Sequence, residues 1–144
     1  MPTAADVSDV DALLDTSVAV ALVVGGHEAH RRVLDELDGQ SLGLAGHAWF
    51  ETFSVLTRLP PPARRSPSDV LRLLRHNFPG SRFLPEAEAV DLTERLVSLG
   101  VAGGNVYDAL VGAAAAHHDL PLVSRDHRAV PLYRRMNVDV RPIA

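Results

Sequence analysis

Apolar positions along the chain fall into two rhythms. Short β-prone runs at 10–14, 41–45, 81–84, 120–124 and 138–141 are bounded by turn residues and predict strands. Between them the spacing is helical. An apolar stretch from Val18 to Val24 ends at Gly25-Gly26, and 27–37 sets Val33, Leu34 and Leu37 against Arg31, Arg32, Asp35 and Glu36. A helix over 47–59 is stopped by Pro60-Pro61-Pro62. Ser66-Pro67-Ser68-Asp69 combines an N-cap serine, proline at the first helical position and an acid three residues after the cap, which predicts a helix to about His76. Residues 86–99 form an amphipathic stretch closed by Gly100; Asn105 is expected to cap a helix through Ala109, Ala113 and Ala116 to His118; and 126–135 reads as a short helical stretch disturbed by Pro131. Strands alternating with helices predict an α/β fold: a central parallel sheet of four to five short strands, helices on both faces, and no internal linker.

Composition narrows the chemistry. With 144 residues, 47% hydrophobic, the chain has the size of one domain and can form a core without disulfides or a structural metal. The absence of cysteine excludes thiolate nucleophiles, Cys-based zinc sites and iron–sulfur clusters. All 14 basic residues are arginine, so a Walker-A lysine and a Schiff-base lysine are excluded too. There is no Gly-x-Ser-x-Gly elbow and no Gly-x-Gly-x-x-Gly after a strand, and Asp15-Thr16-Ser17 lacks the second acid of an aspartyl-phosphatase motif. No nucleotide or haem cofactor is expected. The start carries no basic segment and every apolar run is far shorter than the ~20 residues that span a bilayer, so a cytoplasmic protein with no membrane association is expected.

Charge is unevenly distributed. The net charge is −4, yet Arg58, Arg64, Arg65, Arg72, Arg75 and Arg82 with the single acid Asp69 give 58–82 a charge of +5, leaving −9 for the remainder. Such polarisation suits a protein that takes up a polyanion on one face and concentrates carboxylates elsewhere; a solvated arginine-rich helix and loop is the plainer alternative.

Four acids stand out. Asp15 follows the first strand, where open α/β sheets bind ligands, and equally suits a helix N-cap extended by Thr16-Ser17. Asp108 falls in the first turn of its helix, where unpaired N–H groups and the helix dipole stabilise a negative charge and keep it available to a cation. Asp126 follows the 120–124 strand, and between it and Asp108 there is room for one helix and one strand; adjacent parallel strands would bring both to one edge with Asp15. Glu51 lies inside a helix on a stripe with His47, Ser54 and Arg58, opposite Trp49, Phe53, Leu56 and Leu59. That stripe is either an ordinary solvated face or the fourth wall of an acid cluster. Four carboxylates in one dry site repel one another unless a divalent cation is present, so a cluster would call for oxygen-ligated Mg²⁺ or Mn²⁺ and phosphoryl-transfer chemistry, with the Thr16 or Ser17 hydroxyl holding a water or a phosphate oxygen. The histidines at 27, 30, 117, 118 and 127 lack the His-Glu-x-x-His spacing of zinc proteases and read as solvent-facing or dipole-complementing.

Taken in order, Leu13-Leu14-Asp15-Thr16-Ser17, Glu51 in a mid-chain helix, Tyr107-Asp108-Ala109-Leu110-Val111 with its alanine-rich continuation, and Leu120-Pro121-Leu122-Val123-Ser124-Arg125-Asp126 resemble the PIN-domain proteins of the VapC toxin type. The likeness runs from about Ala12 to the end of the chain. It implies a Mg²⁺-dependent endoribonuclease, with Mn²⁺ a possible substitute, acting as the toxin of a type II toxin-antitoxin pair. It further implies cleavage of structured or single-stranded RNA to 5′-phosphate and 3′-hydroxyl ends, a homodimer, and a VapB-like antitoxin as partner. Carried over to matching positions, Asp15, Glu51, Asp108 and Asp126 form the catalytic and metal site, Asp15 and Asp108 ligating directly, with Ser17 and Thr16 as supporting hydroxyls. Residues 10–144 are expected to form one PIN-like domain, and the acidic extension 1–9 to be poorly ordered. Arg58, Arg64, Arg65, Arg72 and Arg75 are the expected RNA contacts. Two other functions fit the same acids: a PIN-like module that holds RNA or a protein without cutting, and a structure-specific nuclease acting on DNA. A non-cleaving module has no reason to keep four mutually repelling carboxylates.

Overall fold

The computed structural model describes residues 9–144, so the expectation for the N-terminal extension falls almost wholly outside the described residues. Four three-residue strands, β1 (Ala12–Leu14), β2 (Leu42–Leu44), β3 (Leu122–Ser124) and β4 (Val140–Pro142), form one parallel sheet in the order β2-β1-β3-β4. Seven helices are present among the described residues: α1 (Thr16–Val23), α2 (His30–Glu36), α3 (Ala48–Thr57), α4 (Pro67–Asn77), α5 (Glu86–Leu99), α6 (Asn105–His117) and α7 (Val130–Arg135).

The two-residue period of a strand divides the apolar residues between two cores. Ala12, Leu14, Leu42, Leu44 and Val123 face one core, where they meet Val18, Val33, Leu56, Val70, Leu74 and Phe78 of the α1–α4 side. Leu13 and Leu122 point the other way, into a core shared with Leu92, the alanines of α6, Tyr133 and Met136. Burial on both faces explains why the strands read as unbroken apolar runs.

Chain order sets the site. The chain leaves β1 for β2 on one side and returns to β3 on the other, so the switch point lies between β1 and β3 at their carboxyl ends. There Leu14 is level with Val123, and the Asp15 N–H donates to the Val123 carbonyl at 3.2 Å.

Several predicted elements differ from those observed. The run 81–84 is not a strand of the sheet: it contributes one isolated bridge, Ala45 to Arg82. Segment 80–82 does track the β2 edge, with Gly80 and Arg82 N–H groups donating to the Leu42 and Leu44 carbonyls. The Ser81 hydroxyl, however, takes the Leu44 N–H at 2.9 Å where a ladder would supply a carbonyl, and this confines the pairing. The helix after Gly103 has Gly104 at its N-cap position and no side-chain cap; Asn105 is its first helical residue. Pro131 is the second residue of α7 and does not disturb it, because the first turn of a helix needs no N–H from that residue. The predicted helix over 27–37 shortens to His30–Glu36, and Leu34 is largely exposed. On α3 the buried stripe is Ala48, Thr52 and Leu56, one residue round from the expected one, with Trp49 and Phe53 at its margin. The Ser66 cap of α4 and the left-handed Gly100 after α5 are as expected.

Candidate metal and phosphodiester site

Asp15 anchors the site. It caps α1 in extended conformation, and its carboxylate is buried. Oδ1 accepts from the Ser17 hydroxyl at 2.5 Å and from the Val18 N–H at 3.3 Å; Oδ2 accepts from the Ser124 hydroxyl at 2.5 Å and from the Tyr133 hydroxyl at 3.4 Å. Asp15 therefore caps α1 as the sequence predicts, with its carboxylate turned to hydroxyls of three elements. Burial raises its pKa above the usual carboxylate range, while the Ser124, Ser17 and Val18 hydrogen bonds pull the other way by favouring the ionised form.

The other three acids arrive from three different elements. Glu51 projects from α3, with His47 Nε2 at 3.7 Å from its Oε1 and the His47 ring stacked on Tyr107 of α6. Asp108 sits in the first turn of α6. Asp126 follows β3, where its N–H donates to the Ser124 hydroxyl at 3.0 Å. Together Asp15, Glu51, Asp108 and Asp126 line one cavity of about 130 Å³ with Thr16, Ser17, Val111, Arg128 and Tyr133. Burial raises the pKa of Glu51 and of Asp108; the charges of Asp108 and Asp15 add to the first effect and that of Asp126 to the second. Among the described residues no group of three carboxylates or imidazoles is close enough together to hold one metal ion. A hollow of about 190 Å³ between α5 and α6, bordered by Leu84, Glu88, Leu92, Arg95 and His117, gathers no comparable set.

The hydroxyls divide their work. Ser17 is committed, donating to Asp15 and accepting the Arg125 N–H at 2.9 Å. Thr16 borders the cavity, and its Oγ1 is buried with no hydrogen-bond partner, so the hydroxyl retains its hydrogen-bonding capacity. Hard oxygen donors lining one cavity and an orphaned buried hydroxyl are the donor chemistry that a magnesium-like cation takes.

Arg58, Arg64, Arg65, Arg72 and Arg75 are all exposed, and none lines the cavity. Arg64 Nε donates to the Leu59 carbonyl at 2.8 Å, and Arg72 pairs with Asp69. Three residues around the acids are not singled out by the sequence: Ser124, which donates to Asp15, and the cavity residues Arg128 and Tyr133. Ser124 lay inside a recognised motif and Arg128 two residues past Asp126, so both had a local signal. Tyr133 had none: its ring crosses α6 at Gly112, where a Cβ would lie 3.0 Å from Tyr133 Cδ1.

A four-stranded parallel sheet in the order β2-β1-β3-β4, with four acids lining one cavity beside its switch point, has the fold of the PIN type. The family model for the PIN domain matches residues 12–135. Ribonuclease VapC27 of Mycobacterium tuberculosis is 42% identical over 127 residues, 88% of this chain and 93% of that protein. Ribonuclease VapC40 of the same species is 42% identical over 132 residues, covering 88% and 94%. The chain belongs to the PIN-domain family, in its VapC branch. Solved structures share the fold at low identity: VapBC2 from Rickettsia felis bound to a promoter DNA fragment (TM-score 0.65, 14% identity, 92% of this chain and 98% of that one) and FitAcB from Neisseria gonorrhoeae (TM-score 0.60, 20% identity, 89% and 94%). No described helix is long and apolar enough to cross a membrane.

Proposed function

We propose that the protein is a Mg²⁺-dependent endoribonuclease, the toxin of a toxin-antitoxin pair, with residues 10–144 acting as one PIN domain. The observation that carries the reading is the convergence of four carboxylates from four elements on one cavity at the carboxyl edge of the sheet. The ribonuclease names of the 42%-identical relatives support the reaction class, and the VapBC and FitAcB complexes support a VapB-like protein as partner. The active unit is a homodimer.

Asp15 and Asp108 would hold the cation directly, with Glu51 and Asp126 completing the acidic ring; Mn²⁺ would be a permitted substitute. When bound, the cation supplies positive charge that orients the phosphodiester and acidifies the attacking water. Ser17, Ser124, Val18 and Tyr133 fix the rotamer of Asp15 through its hydrogen bonds. Thr16 Oγ1 orients a water or a phosphate oxygen. Glu51, half-buried and with a raised pKa, is suited to take the proton as the water oxygen bonds to phosphorus. The P–O3′ bond breaks, the departing oxygen takes a proton from solvent water, and the products are a 5′-phosphate and a 3′-hydroxyl.

The deciding experiment incubates purified protein with labelled cellular RNA in Mg²⁺, in chelator, and with Asp108→Asn in parallel. Cutting that requires Mg²⁺ and disappears in the variant is the expected outcome. No cutting by folded, partner-free protein would favour a non-cleaving RNA- or protein-binding module, and cutting of DNA alone would favour the structure-specific nuclease.

A further inference from the structure

Of the nine residues that line the acidic cavity, Arg128 alone carries a cationic side chain. It stands in the turn between β3 and α7, and Asp126 holds it twice. Asp126 Oδ1 accepts the Arg128 backbone N–H at 3.1 Å, and the turn is closed by the Ala129 N–H on the Asp126 carbonyl at 3.0 Å. Asp126 Oδ2 meets the guanidinium at 3.3 Å. The backbone of Arg128 is thus fixed at the cavity rim by a short-range turn, while its side chain, 79% exposed, is held by one long ion pair.

Exposed pairs of this kind contribute little to stability, so the guanidinium can change partner at small cost. Arg128 and Asp108 line the same cavity, so a guanidinium released from Asp126 stays within the acidic site. A phosphodiester drawn to this site needs a cation on the side away from the carboxylates, and the planar guanidinium fork matches two phosphate oxygens in a way a point charge does not. The arginines of the 58–82 segment do not line the cavity and cannot provide that contact where the bond is cut.

We propose that Arg128 is a substrate-binding residue that exchanges its ion pair with Asp126 for the non-bridging oxygens of the scissile phosphate. The inference rests on the nuclease reading above. In the resting site Asp126 parks the guanidinium at the rim; with RNA present the same turn delivers it to the phosphate. Release from Arg128 also frees Asp126 Oδ2 for the acidic ring.

The test compares Arg128, Arg128→Ala and Arg128→Lys, each in an otherwise native chain for cleavage and with Asp108→Asn added for binding, so that turnover does not consume the probe. Binding of a fluorescent single-stranded RNA is followed by anisotropy in Mg²⁺ over a salt series. Arg128→Ala is expected to weaken binding about tenfold and to reduce the slope of log K against log salt by about 0.7, one phosphate contact on a single strand. Arg128→Lys should restore the slope through its charge but only part of the cleavage rate, because the bidentate fork is gone. Thermal midpoints should be unchanged, which separates lost contact from lost fold. Unchanged affinity and slope in Arg128→Ala would overturn the proposal, as would faster cleavage in that variant, the behaviour of a guanidinium that merely competes for the acids. Because unsubstituted protein is assayed alongside, failure of the nuclease reading appears as absence of cutting in every sample, distinct from failure of Arg128 alone.

Discussion

Asp15 is buried among three hydroxyls and a backbone N–H, and the arrangement is expensive as well as useful. Burial lifts the pKa values of Asp15, Glu51 and Asp108 above the ordinary carboxylate range. Between the ordinary and the raised values the folded protein binds more protons than the unfolded chain, so these three groups favour folding at low pH and lose that contribution as pH rises through the raised values. Asp108→Asn preserves shape and removes one such group. In metal-free buffer it should raise the thermal midpoint near neutral pH, with a gain over the parent that shrinks as pH falls toward the ordinary carboxylate value. A variant less stable than the parent at neutral pH would show that Asp108 is stabilised in place and not strained by its neighbours. The four acids were legible in the sequence because each stands at the start or in the first turn of an element, or on one helical stripe. Ser124, Arg128 and Tyr133 were not assigned. Tyr133 in particular reaches Asp15 only because α7 crosses α6 at a glycine, a relation between distant elements that no local spacing encodes.

At the scale of elements, punctuation was the readable part: Ser66 caps α4 through the Asp69 N–H, and Gly100 ends α5. What could not be read was where one backbone lies against another. The 81–84 run has strand-like composition, yet it follows the β2 edge with a serine hydroxyl interrupting the ladder. Its closeness depends on Gly43, whose added Cβ would fall 2.1 Å from the Gly80 carbonyl carbon and 2.2 Å from its oxygen. Both groups are backbone and neither can rotate away. Gly43→Ala should therefore cost about 3 kcal/mol or more, the upper end for an overpacked site. Ser66→Ala, which only loses a cap, should cost about 1 kcal/mol. Urea unfolding of the two variants checks the order. Equal costs would mean that segment 80–82 yields easily, and that the β2 edge is less firmly covered than its hydrogen bonds indicate.

Across the whole molecule, the charge asymmetry seen in the sequence acquires a geometry through α3. Glu51 faces the acidic cavity from within this helix, and Arg58 is its C-cap, seven residues on and hence about 10 Å along the axis. The loop that follows carries Arg64 and Arg65, both exposed, before α4 adds Arg72 and Arg75. One helix therefore links the acidic cavity with an exposed cationic run, and under the proposed function the net negative charge of the chain is no obstacle because the two signs are separated. Reversing Arg64 and Arg65 together to Glu should weaken RNA binding more than tenfold at low salt and flatten its salt dependence by about 1.4 in log–log slope, two phosphate contacts on a single strand. The difference from the parent should narrow as salt screens the introduced repulsion. Arg64 also donates to the Leu59 carbonyl, so the thermal midpoint must be compared in parallel to separate a loosened loop from a lost contact. If affinity is unchanged while the fold is intact, the loop has no part in holding RNA, and the strand must approach the cavity from the Arg128 side alone.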